Sequence, residues 1–318
     1  MEQKALRVGT AVLVLALLLR LAGTWEGADR EIARTLLFFS SGRLATETVL
    51  PETEAAAEPT HEEVQPSDTA VPVFGESQEP LVQVSADWEV DTLALLREPL
   101  HWDLKADVPT VLILHSHGTE SYEKNGAYTE SSPYRTLDTD YNMVSIGDRV
   151  AQILEAGGIR VIHDRTLHDY PSYNDAYANA RQAIGNTLAE NPSVCLVLDL
   201  HRDAAEDGNG NQKRSAVTIE GVAAANLMLV MGSDKGSLSY PNWEKNLALA
   251  VKLQAQLEQT HPGLCKPIKL VTNRYNQDLS TGALLVEVGT AGNTHAEALA
   301  AAEYLAEGIL ALANGANY

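Results

Sequence analysis

Four short stretches of this 318-residue sequence carry side chains that could do chemistry together. They are His115-Ser116-His117-Gly118-Thr119-Glu120, then His163-Asp164 with His168-Asp169-Tyr170-Pro171, then His201-Arg202-Asp203, and finally Glu287. Two imidazoles and a carboxylate suit zinc, which at a catalytic site takes three protein ligands and a water. The metal depresses the pKa of that water and polarises a carbonyl. A further carboxylate must then carry the water's proton to the leaving group. The inventory predicts a metal-assisted hydrolase with His117, Glu120 and His201 as zinc ligands and Glu287 as general base. His115, His168 and Tyr170 are expected at the substrate cleft, and Arg202 at a substrate carboxylate or developing oxyanion. Asp199 precedes His201 by two positions, so in a strand it points the same way and can orient the imidazole.

Each of these residues also has a plainer reading. A histidine at a strand end often serves as a hydrogen-bonded polar cap, and His115 fits that or a supporting role. A carboxylate inside an apolar run is costly unless paired, so a salt bridge is the alternative for Glu287. Arg202 has Asp203 beside it as an alternative partner, and the His163–Pro171 stretch reads equally as a polar turn. No Gly-x-Ser-x-Gly elbow marks a serine hydrolase, and the glycines at 207–211 lack phosphate-loop spacing.

The elements that must position these groups alternate along residues 84–318, a length for one domain. Apolar runs at 110–114, 159–162, 194–198, 226–231, 268–271 and 284–288 read as strands. Helical spacing covers 142–154, stopped by Gly157-Gly158, as well as 175–188, 243–259 and 295–312. Such alternation predicts an α/β fold: a mostly parallel sheet with helices on both faces. In open α/β sheets the ligand site lies beyond the carboxyl ends of the strands. Three of the runs end in the histidines and carboxylates named above, which is why the set is read as one site.

The formal charge is −20, unevenly spread. So acidic a chain argues against a nucleic-acid binder. Residues 1–45 hold six basic and four acidic residues, whereas 46–83 hold nine acidic residues, five prolines and no Lys or Arg. Lys4 and Arg7 precede an apolar run from Val8 to Gly23, with Arg20 and Trp25 near its far end. We read 1–28 as a retained membrane anchor, with a cleaved signal peptide as the rival reading; either exports the body. Residues 29–45 form a juxtamembrane segment and 46–83 an extended, disordered acidic linker. Two cysteines are too few for a disulfide framework or an all-cysteine zinc site, and Cys195 is expected free.

Three blocks of this sequence resemble the signature of the stage II sporulation protein P family. They are His115-Ser116-His117-Gly118-Thr119-Glu120-Ser121-Tyr122, the stretch from His163 to Pro171, and Asp199-Leu200-His201-Arg202-Asp203-Ala204. The resemblance covers about 105–318, and the anchor and linker fit it. It implies a membrane-anchored peptidoglycan hydrolase of endospore formers. Such an enzyme would cut the amide between N-acetylmuramic acid and L-alanine, and the family is also associated with cleavage of peptide cross-links, during engulfment, beside membrane and wall-hydrolase partners. The alternatives are a zinc peptidase confined to stem peptides and a non-catalytic wall-binding scaffold. The implied fold is that of zinc amidases, and a close His-x-x-Glu with a distant His and Glu is also the arrangement of zinc carboxypeptidases. Those amidases take a Glu ligand downstream of the first His, near a helix start; 135–142 here offers Asp138 and Asp140 instead. Glu130 and Asp138 therefore stand as substitutes for Glu120.

Overall fold

The computed structural model describes residues 70–72, 81–100, 102–124, 126 and 128–315. All of them belong to a unit spanning Ala56–Tyr318. The expected anchor and juxtamembrane segment lie outside the described residues, as does most of the acidic stretch. Among the described residues no helix is long and apolar enough to cross a membrane.

The element order is β1 (Ala70–Pro72), β2 (Leu81–Ser85), α1 (Thr92–Arg97), β3 (Val111–Leu114), α2 (Met143–Ala156), β4 (Val161–His163), α3 (Ala176–Glu190) and β5 (Leu196–Asp203). It continues with β6 (Ala216–Ile219), β7 (Val222–Ala225), β8 (Leu227–Gly232), α4 (Trp243–Thr260), β9 (Ile268–Val271), β10 (Ala283–Thr290) and α5 (His295–Ala313). Eight strands form one sheet in the order β1-β2-β9-β8-β10-β5-β3-β4, while β6 and β7 pair separately. Within the eight-stranded sheet pairing is parallel except at β1–β2 and β10–β8, and β6–β7 is antiparallel. The mixed α/β fold with a mostly parallel sheet is thus the one the alternation predicts.

The apolar runs become strands because both sheet faces are covered. In β3, Val111 and Ile113 enter the larger core with Val150 and Leu154 of α2 and Leu305 of α5. Leu112 and Leu114 point the other way, into a smaller core with Ala180 and Ile184 of α3. Successive strand residues alternate between faces, so one run serves two layers.

Three features depart from the pattern read in the sequence. β5 runs on to Asp203 with all eight residues buried, so His201 and Arg202 lie inside the strand. α4 reads as amphipathic, yet its polar residues Asn246, Lys252, Gln254 and Gln256 are buried too. It is covered on several sides: α1 packs against it, and the Asn246 amide donates to the Gln277 and Ser280 carbonyls at 2.9 Å. The Lys252 ammonium donates to the Leu96 carbonyl, and Gln254 Nε2 to the Lys266 carbonyl at 2.8 Å. The β6–β7 hairpin, finally, has no counterpart among the apolar runs.

The topology places the site. From β3 the chain passes to β4 on one side, then returns to β5 on the other. Connections that leave two neighbouring strands in opposite directions open a crevice at their carboxyl ends. The His115–Glu120 stretch follows β3, and His201 lies in the carboxyl-terminal half of β5, at that crevice.

Candidate active site

Sheet register sets the first pair. Glu287 of β10 lies opposite His201 of β5, so the two side chains share a face. Asp199, two residues back on β5, brings Oδ1 to 3.0 Å from His201 Nε2, although the two are misaligned for a hydrogen bond. Asp199 is itself held by Ser116, whose N–H donates to Oδ1 at 2.8 Å and whose hydroxyl donates to Oδ2 at 2.6 Å.

The loop after β3 is pinned residue by residue. Thr119 donates its N–H and its hydroxyl to Asp169, the hydroxyl at 2.5 Å. Glu120 Oε2 accepts the Arg202 N–H at 3.2 Å, and Oε1 accepts from Arg202 Nη1 at 3.3 Å. Ser121 N–H donates to the Tyr134 carbonyl at 2.9 Å. The Tyr122 hydroxyl donates to the Val288 carbonyl of β10 at 2.8 Å. Gly118 has no room for a side chain: a Cβ there would lie 3.0 Å from Leu167 Cδ2 and 3.3 Å from Leu167 Cα. Most of the block thus fixes the path that presents His117.

His117 and His201 meet edge to face, with ring centroids 5.3 Å apart. Tyr173 stacks on His117 at 4.5 Å, and the Arg135 guanidinium lies 4.4 Å from the centre of the Tyr173 ring. Arg135 Nη1 donates to Asp169 Oδ2 at 2.9 Å, and its Nη2 lies 3.7 Å from Glu120 Oε1. Tyr177 stands edge-on to His117 at 5.2 Å and parallel to His201 at 6.2 Å. Glu120 Oε2 comes within 3.7 Å of His201 Nδ1.

The electrostatics separate these groups. Burial pushes the Glu287 carboxyl up to about 8. Burial also acts on Glu120, but the charges of Arg202, His201, His117 and Arg135 outweigh it and hold the carboxyl at about 2. Burial lowers His117 to about 4. For His201 burial is overcome by Asp199, Glu120 and Glu287, which raise it to about 9. Tyr177 is pushed well above its ordinary value by burial and by the carboxylates of Asp199, Glu287 and Glu120.

His117, Glu120, His201 and Glu287 are therefore gathered in one place. Other expected site residues are placed differently. Arg202 spends its side chain on Glu120 and on the Ser121 and Tyr134 carbonyls, both at 3.1 Å. It is a clamp for the loop, not a group free to hold substrate, because alternation turns it away from the His201 face. His115 is 0% exposed. Its Nε2 lies 2.9 Å from His163 Nε2 and its Nδ1 3.1 Å from the Leu200 carbonyl, so it packs under the loop and not in the cleft. His168 is buried, with Nε2 3.0 Å from Asp164 Oδ2, which makes it part of its own turn. Tyr170 is 44% exposed beside Asp169, at a position open to a ligand. Glu130 accepts the Tyr134 N–H, and Asp138 that of Asp140; both build turns. Of the three carboxylates considered for the metal, Glu120 is the one near His201. Arg135, Tyr173, Tyr177 and Tyr275 were not singled out in the sequence, where nothing in their spacing ties them to the histidines. Both cysteines are free.

Comparison with known proteins places the chain. A stage II sporulation protein P from Bacillus subtilis (strain 168) is 29% identical over 214 residues, which cover 63% of this chain. The chain spans about half the length of that relative, 50%. Among solved structures, an N-acetylmuramoyl-L-alanine amidase from Clostridium difficile 630 is similar at TM-score 0.34 and 16% identity, over 67% of this chain and 100% of that one. A succinylglutamate desuccinylase from Chromobacterium violaceum is similar at TM-score 0.35 and 12% identity, over 68% and 66%. The cell shape determinant protein Csd4 from Helicobacter pylori is similar at TM-score 0.34 and 14% identity, over 68% and 53%. At these scores none of the three likenesses fixes an activity. The sequence model of the stage II sporulation protein P family, in contrast, matches residues 36–310, most of the chain, and the protein belongs to that family.

Proposed function

We propose that this sporulation-family protein is a zinc-dependent N-acetylmuramoyl-L-alanine amidase. In this reading it is held by its N-terminal segment on the outer face of a membrane and degrades septal peptidoglycan during engulfment, beside membrane and wall-hydrolase partners. The observation that carries the reading is a coincidence of orphans. His117 Nδ1 and Glu287 Oε2 are both buried without a hydrogen-bond partner, and both belong to this site, beside His201, whose Nε2 faces Asp199 Oδ1 at 3.0 Å. An unsatisfied buried polar group costs about 1–3 kcal/mol, so two together favour a site kept for a ligand.

The donor chemistry fits zinc: two imidazoles and a carboxylate, His117, His201 and Glu120. Among the described residues no three His, Cys, Asp or Glu side chains already stand as a ready-made metal cage. The fit therefore rests on donor type and on the orphaned His117 nitrogen. Zinc bound there would supply an acidified water and a polarised carbonyl. The chain's own residues do the rest. Asp199, fixed by Ser116, orients His201. Glu287 Oε2 takes the proton of the attacking water and returns it to the amine of L-alanine as the amide breaks. The positive charge of a bound zinc would favour the ionised Glu287 that this requires, against the burial that otherwise pushes its carboxyl up to about 8. Tyr173 and Tyr177 wall the histidines and limit water around them.

Metal analysis of the purified chain tests the donor set. We expect about one zinc per chain, with binding weakened severely in His117→Ala and His201→Ala and unaffected in His168→Ala. Equal zinc in all four proteins would sink the assignment.

A further inference from the structure

Hydrolysis of an amide builds negative charge on the carbonyl oxygen, and a fixed donor aimed at it lowers the barrier. Most donors around this site are already committed. The N–H groups of Arg202 go to Glu120 and two carbonyls, and those of Arg135 face Asp169, Thr119 and Glu120. The Thr119 hydroxyl goes to Asp169 and the Ser116 hydroxyl to Asp199. Tyr177 differs: its ring touches both histidines, its side chain is partly exposed, and its hydroxyl makes no hydrogen bond among the described residues.

The backbone around it is strained in a revealing place. Four non-glycine residues among those described have left-handed φ, and three border this site: Tyr134 (55°), Tyr275 (47°) and Asn276 (61°). Such conformations are uncommon for non-glycine residues and persist only where the surroundings hold them. Here they are held. Asn276 Nδ2 donates to the Tyr177 carbonyl at 2.8 Å, and the Tyr275 ring lies 5.7 Å from the Tyr177 ring. Arg181 of α3 grips Asp278 with two bonds, at 2.9 and 2.8 Å. Arg274 reaches Asp278 as well, at 3.2 Å. The segment 274–278 is thus fastened onto α3 at the turn that carries Tyr177.

We propose that Tyr177 donates its phenol hydrogen to the carbonyl oxygen of the scissile amide, and that Tyr275 and Asn276 are positioning residues that hold its ring against the two histidines. The assignment rests on the hydrolase reading above. It gives the site a donor that the histidine and carboxylate pattern does not reveal.

The test uses the full chain with cell-wall sacculi and zinc, comparing wild type, Tyr177→Phe and Tyr275→Gly. Tyr177→Phe removes one hydroxyl and keeps the ring. We expect unchanged zinc content and melting temperature, kcat lower by about 10²-fold, and KM within about twofold. Tyr275→Gly relieves the left-handed strain while deleting the ring, so it should be no less stable yet slower, by about 10-fold. An active wild type with Tyr177→Phe within twofold of it overturns this proposal alone. Loss of zinc from Tyr177→Phe overturns it too, since the phenol would then be supporting the ligands. A wild type that releases nothing overturns the hydrolase reading and this proposal with it.

Discussion

Glu287 is where the site's energetics and its chemistry pull against each other. Its carboxyl is buried in β10, Oε2 has no partner, and burial raises its pKa to about 8. A carboxyl whose pKa is raised on folding contributes fully below its unfolded value of about 4.5 and loses that contribution as pH rises through about 8. Removing the charge should therefore stabilise the metal-free protein at alkaline pH. We expect Glu287→Gln to melt higher than wild type at pH 8 and alike near pH 4.5, while hydrolysis falls by about 10²–10⁴-fold. A variant that melts lower at pH 8 would mean that Glu287 is satisfied in a structural pair. The sequence drew attention to His117, Glu120, His201 and Glu287 because histidines and carboxylates at the ends of apolar runs are conspicuous. It hid Arg135 and Tyr177, whose importance lies in what they stack on: Arg135 over Tyr173, and Tyr177 between two imidazoles. Arg202 was misleading for a related reason. Its place beside His201 suggested the cleft, but strand alternation sends it to the opposite face.

At the scale of elements, the strands buried on both faces were legible and the others were not. β3 and the opening residues of β5 and β10 announce themselves as apolar runs because each serves two layers. The direction of β8, antiparallel to β10, leaves no such trace. The hairpin of β6 and β7 turns through Glu220 and Gly221, both left-handed, and a glutamate seldom marks that turn. The polar residues of α4 read as a solvent face because nothing local reveals that α1 covers Lys252, or that the Gln277, Ser280 and Lys266 carbonyls meet Asn246 and Gln254. Helix α2 shows how an element and the site are coupled. Gly147 is a helix-interior glycine, normally worth replacing by alanine, which is favoured by about 1 kcal/mol. Here a Cβ would sit 2.5 Å from His163 Nε2 and 2.6 Å from His115 Nε2. We expect Gly147→Ala to destabilise the protein by about 1–3 kcal/mol in denaturant unfolding, reversing the propensity rule, because the pair His115 and His163 must move. A neutral or stabilising result would show that α2 and β4 have slack between them.

Over the whole molecule, charge and topology divide the labour. Nine of the acidic residues sit in 46–83, away from the histidine blocks, so much of the net −20 is not part of the candidate site. In the body, a reversal of strand order at the parallel pair β3 and β5 opens one crevice, and the loop signature, the β5 histidine and the β10 carboxylate all converge there. The central claim is that this convergence cuts the bond between glycan and peptide. It is tested most directly by digesting purified sacculi with the full chain and zinc and weighing the soluble products. The account predicts free stem peptides with new L-alanine amino termini, and glycan strands carrying bare lactyl groups. Products that all keep muramic acid joined to peptide, with new ends only within the stems or cross-links, would contradict it.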